Sequence, residues 1–288
     1  MTAGELYRRA IAELARGAEA AAAERLKLHA ADEAGRIEEE IGSRMSASAP
    51  RSDTGLHALL GALDERNQRF LALALPLVEY GTPVAAETVA RSVRFFARTC
   101  LAPRPGGEVY RQGAMTVLGR LVWAIAAYSV ECNRLDALVR LARIDVALEP
   151  DEPETPLLAR GELRVFAGAE EDRDAAYRHY LDWLRTSDLA RNEVPLFWPN
   201  VHRAMAEADL WLALRTAAVT ATEVYSAGMS APAVLRLRRR LEDASAVSEL
   251  ARLLGVSESR AVAELAEQSA RIAYDHDRLA EVPSLVAG

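Results

Sequence analysis

The chain has 288 residues, half of them hydrophobic, with 12 Pro, 16 Gly, two Cys and a formal net charge of −7. That length admits two ordinary domains or one extended array, and two cysteines exclude a disulfide framework. The acidic balance excludes non-specific nucleic-acid binding by the chain as a whole, while leaving room for a local basic patch.

Ala, Leu, Arg and Glu dominate the composition, and all four are strong helix formers. No stretch alternates long enough to argue for a sheet. The expected fold is therefore all-α: a multi-helical array of antiparallel helix pairs, either solenoid-like or an irregular bundle, with a long N-terminal helix and more than about 60% helix. Lys27 is the only lysine, so 34 of the 35 basic residues are Arg. A GC-rich coding bias accounts for this, and it lowers the weight that any single Arg can carry.

Residues 1–46 read as one long helix or a helix pair. Leu6, Ala10, Leu14, Ala18, Ala22, Leu26, Ile37 and Ile41 recur at helical spacing with charges between them. The stripe is thin and mostly Ala, which suits a partner helix better than a globular core. Leu6, Leu14, Ile37 and Ile41 are accordingly expected to form a docking or homo-oligomer surface. Folding back on 54–148 is the alternative. The stretch 43–53 (SRMSASAPRSD) reads as a linker.

A first helical domain is expected over 54–148. Its first helix, 54–80, is apolar all round from Leu71 to Val78 and contains Pro76, a source of kinks. Gly81-Thr82-Pro83 stops that helix and starts the next, with Thr82 as cap and Pro83 in the first turn. That helix reaches Cys100, and a loop follows at 102–107 (APRPGG). Residues 108–132 form the most apolar helix, broken only by Arg120 between Gln112 and Glu131. A shorter helix is expected over 134–148. The stretch 149–156 (EPDEPETP) cannot continue a helix and favours solvent, so it marks a boundary. A second helical domain, 157–288, is expected to hold helices at 157–166, 172–184, 201–217, 220–225, 232–241, 244–254 and 257–279, with an aromatic turn at 194–200. The succession of short helices and tight turns resembles tetratricopeptide-type arrays in architecture, without a fixed period or repeat consensus.

The segment 247–265 (VSELARLLGVSESRAVAEL) resembles a helix-turn-helix, with Ala251, then Gly255, then Val256-Ser257 opening a second helix. Its second helix departs from that pattern: Val262 and Leu265 come one residue late, and Glu258, Glu264 and Glu267 are acidic where a reading helix would face phosphates. A plain helical hairpin explains it as well. Just upstream, Arg236, Arg238, Arg239 and Arg240 form the densest positive cluster, suited to phosphate, RNA or an acidic partner, or to simple pairing with Glu242 and Asp243.

The acidic run 170–174 (EEDRD) superficially resembles the aspartate-rich metal motif of helical prenyl-diphosphate enzymes. It opens a helix, where carboxylates are favoured in any case, and no second metal motif accompanies it. His29, His57, His179, His202 and His276 are scattered, and no HExxH or Cys/His ligand spacing occurs. No phosphate loop or nucleophile elbow is present.

No catalytic residue, cofactor or metal is therefore expected. The residues point to a cytoplasmic, non-catalytic helical adaptor or regulatory module that binds other proteins, with no membrane contact. A DNA-associated regulator using 247–265 is one alternative. A helical enzyme with an aromatic pocket near Trp123 or Trp211 is the other.

Overall fold

The computed structural model describes residues 1–46, 53–102, 108–147, 155–157, 186–187, 189–194, 204, 208, 242–254 and 257–260. About 84% of that region is helical. It holds seven α-helices: α1 (Ala3–Ala15), α2 (Glu19–Ser46), α3 (Asp53–Tyr80), α4 (Pro83–Leu101), α5 (Glu108–Glu131), α6 (Leu135–Ala142) and α7 (Ala244–Leu254). A two-residue antiparallel bridge joins β1 (Asp145–Val146) to β2 (Thr155–Pro156), and Leu189–Glu193 forms a π-helical turn. The all-α expectation holds for the described residues. Most of 157–241 and 261–288, with the helices expected there, lies outside them.

Local chemistry sets the helix ends. Thr2 and Glu5 form a reciprocal capping box at the start of α1: the Thr2 N–H donates to Glu5 at 2.7 Å, and the Glu5 N–H donates to the Thr2 hydroxyl at 3.2 Å. The long N-terminal helix expected over 1–46 is instead a helix pair, α1 and α2, because Gly17 takes a left-handed conformation, φ 75°. The Gly17 N–H reaches Leu14 O and the Ala18 N–H reaches Glu13 O, which together terminate α1. Asn133, at φ 56°, ends α5 the same way, with Arg134 N–H donating to Ser129 O. Thr82 caps α4 ahead of Pro83, as expected. The helix expected at 134–148 ends at Ala142, because the chain there turns into β1.

The helices pack in layers. α1 and α2 lie on α3, and α2 also runs against α4; α3 backs onto α5; α6 closes against α4 and α5. Phe70, Phe96, Leu26, Ile37, Leu73, Leu75 and Leu77 are the largest fully buried side chains. The rings of Phe70 and Phe96 meet at 5.7 Å with a 48° tilt, a favourable edge-leaning geometry. The same hydrophobic cluster takes in Leu157, Leu189, Val194, Ala204, Ala208 and Ala251. Among the described residues, no helix is long and apolar enough to cross a membrane.

Charged groups tie the layers where the apolar stripe is thin. Glu13 accepts two hydrogen bonds from Arg25, both 2.6 Å, joining α1 to α2. Glu33 on α2 is buried and accepts from Arg66 on α3 at 2.6 Å. Arg120 on α5 pairs with Asp64 on α3. The Arg134 guanidinium donates to the carbonyls of Val78, Glu79 and Gly81, at 2.6, 3.3 and 2.7 Å, and so satisfies the end of α3.

Candidate functional site

The N-terminal stripe is used inside the chain. Leu6 and Ile37 are buried in the main cluster, and Leu14 packs half-buried against it. The side chain of Ile41 lies outside the described residues, as do Arg236, Arg238, Arg239 and Arg240. Of the helix-turn-helix-like segment, 247–254 belongs to α7, and residues 258–260 are helical. Val247 and Ala251 are buried, and α7 rests on α6. Trp123 is a buried core residue of α5, so it lines neither of the two grooves described below; Trp211 lies outside the described residues.

The structure instead assembles a cationic site that the sequence reading passed over. α4 carries Arg91 and Arg94 one turn apart. α6 ends with Arg140 in its last turn and Arg143 at its C-cap. Because α6 packs on α4, these four guanidiniums face one open groove of about 540 Å³, together with Glu87, Ala90, Ile144 and Asp145. Glu87 is shared: it accepts from Arg91 at 3.0 Å and from Arg140 at 2.6 Å. Burial alone would raise the Glu87 carboxyl, but the bonds from Arg140 and Arg91 outweigh it and hold it below the usual carboxylate range. Among the described residues, the groove is thus lined by four arginines and two carboxylates, with Arg91 and Arg140 already sharing Glu87. Cations at a helix C-terminus also relieve the α6 dipole, which gives Arg140 and Arg143 a structural role of their own. The sequence signal was the run ARSVRFFAR in α4, with Arg91, Arg94 and Arg98 at intervals of three and four residues. What it lacked was any sign that α6 would lie alongside.

A second groove, of about 610 Å³, lies between the start of α1, α3 and the π-helical turn, lined in part by Glu5, Glu65, Arg69 and Glu193. Its carboxylates are engaged by Thr2, Arg69 and Arg8 respectively. Glu79, Tyr7, Tyr80, Tyr128 and Cys132 make a third polar cluster near the ends of α3 and α5. The Tyr128 hydroxyl donates to Glu79, and burial pushes its pKa up. Burial, with Glu79 beside it, pushes the Cys132 thiol up to about 12, so at neutral pH it is a protonated thiol and a poor nucleophile. Among the described residues, no group of three His, Cys, Asp or Glu side chains is placed to hold a metal ion.

Comparison with protein-family models, with curated proteins and with solved structures finds no match for this chain.

Proposed function

We propose that the protein is a non-catalytic helical adaptor, working within a multi-subunit assembly, and that the groove between α4 and α6 takes an acidic segment of a partner protein. The observation that carries this reading is the gathering of Arg91, Arg94, Arg140 and Arg143 around one open groove on a chain of net charge −7. Guanidiniums neither give nor take protons near neutral pH, and they bind carboxylates in a fixed fork geometry. A site built from them favours recognition over proton transfer. The one carboxylate at its centre, Glu87, is held ionised by two of them, which also removes it as a general acid.

Fluorescence anisotropy with a labelled poly-glutamate peptide tests the reading. Binding should weaken steeply as salt rises, because the contacts are exposed ion pairs screened over about 10 Å. Arg91→Glu with Arg143→Glu should weaken it by about tenfold or more, or roughly 1.4 kcal/mol. Equal binding by the reversed-charge protein would overturn the site. The alternative, a DNA-associated regulator acting through 247–265, predicts salt-dependent binding of duplex DNA that these two substitutions leave intact.

A further inference from the structure

The groove opens onto the outer face of α4, and that face is not purely charged. Val84 is 72% exposed and Phe95 49%, two of the five large hydrophobic side chains exposed among the described residues. Arg91 and Arg98 are exposed as well. At about 100° of helix per residue, Val84, Arg91, Phe95 and Arg98 fall within a stripe about 60° wide. Arg94 sits on its flank, toward α6 and the groove. Val84 and Phe95 lie three turns apart, about 16 Å along the axis.

We propose that this stripe and the adjoining groove together seat one amphipathic helix of a partner protein. Its apolar side would cover Val84 and Phe95, and its acidic flank would face Arg91, Arg94, Arg98, Arg140 and Arg143. The inference rests on the reading of the groove as a site for an acidic segment, and it names the form that segment takes.

Three observations select this occupant. Two apolar contacts on one face, three turns apart, match a helix lying along α4, which repeats its own face at i, i+4, i+7 and i+11 with the same rise. An extended strand covers that distance in about five residues, and side chains five apart in a strand point to opposite sides. The arginines select carboxylates. Glu87 and Asp145 line the same groove and break its positive charge into separate points, which suits spaced carboxylates on one helix flank better than a continuous phosphate backbone. Phe95 is the single exposed ring of the stripe, short of the successive rings on which a nucleic-acid strand stacks, so a protein helix fits better.

The test uses the full chain and three labelled peptides of about 18 residues, enough for about five turns. The first has Leu at i, i+4, i+7 and i+11 with Glu along one flank. The second has the same composition with the Leu positions scattered around the helix. The third is poly-glutamate. The amphipathic peptide should bind about tenfold more tightly than the scattered one, and Phe95→Ser with Val84→Ser should erase that difference while leaving poly-glutamate binding within about twofold. Both positions are exposed, so unchanged circular dichroism should confirm folding of the variant. Equal affinity for the amphipathic and scattered peptides, with salt-dependent poly-glutamate binding retained, would overturn the helix and leave the acidic site standing. No binding of any acidic peptide would remove both. Displacement of the amphipathic peptide by single- or double-stranded DNA at lower concentration than by poly-glutamate would overturn a protein partner.

Discussion

Glu33 shows how this protein treats a charge in its interior. It is 1% exposed, yet Arg66 lies 2.6 Å away, with Arg36 at 3.8 Å and His29 at 4.0 Å. Removing Glu33 takes from Arg66 its 2.6 Å carboxylate partner in a poorly solvated place. Glu33→Ala should therefore lower stability by about 3 kcal/mol, the mild end of the range for broken buried pairs, because Arg66 retains some solvent. Urea unfolding is the measurement, and an unfolding free energy within about 0.3 kcal/mol of the parent would refute it. Two groups, His29 and Glu13, make stability depend on pH. Burial lowers the His29 pKa below its ordinary 6.5, against the pull of Glu33 and Asp32 and with the help of Arg69 and Arg36. The Arg25 hydrogen bond holds Glu13 below its ordinary 4.5, outweighing burial. In both cases the unfolded chain takes up the proton first as pH falls. Stability present above 6.5 should thus decline below it through His29, and decline again below 4.5 through Glu13. His29→Gln should flatten the upper phase of the urea midpoint against pH and leave the lower one.

At the scale of elements, two glycines separate backbone strain from collision. Gly17 sits at φ 75° with open space where a side chain would go. Gly17→Ala should therefore cost only the left-handed conformation, about 1 kcal/mol. Gly81 has no such φ, but a methyl group there would collide with Leu77 O and with the Ala85 side chain. Gly81→Ala should cost about 2–3 kcal/mol, since the α3–α4 turn must open to relieve the contact. Thermal melts of both variants check the order, and equal losses would contradict it. The turn has a further tie: Glu19 at the head of α2 accepts from the Thr82 N–H at 2.8 Å and from its hydroxyl at 2.6 Å. Gly81-Thr82-Pro83 was legible as a helix stop and start because caps act within a few residues. The bond from Glu19, 63 residues away, was not.

At the scale of the molecule, α1 and α2 cover the buried faces of α3 and α4. Leu26 and Ile37 are wholly buried there, and Glu33 reaches Arg66 across the same interface. A chain beginning at Arg51 should therefore lose its cooperative unfolding transition in calorimetry. A sharp transition retained at the parental temperature would show instead that the first 50 residues are an independent attachment. A partner reaching the N-terminal segment would have to use its outer side, where Leu28 is exposed, since Leu6 and Ile37 face inward.

What the sequence determined by itself was local. Helix formers at a 3.6-residue period, Pro and Gly as punctuation, and Thr82 at a helix start placed α3, α4 and α5 to within a residue or two, because each signal acts over a single turn. The thin alanine stripe from Leu6 to Ile41 could not say what would cover it, because the same apolar area is removed from water whether the partner is another chain or α3 of the same one. The Arg site was hidden for a related reason. In a chain where Arg fills nearly every basic position, Arg91 and Arg143 stand out only once packing brings α6 against α4. That meeting depends on the fit of whole helix faces some 50 residues apart in sequence, and no local signal records it.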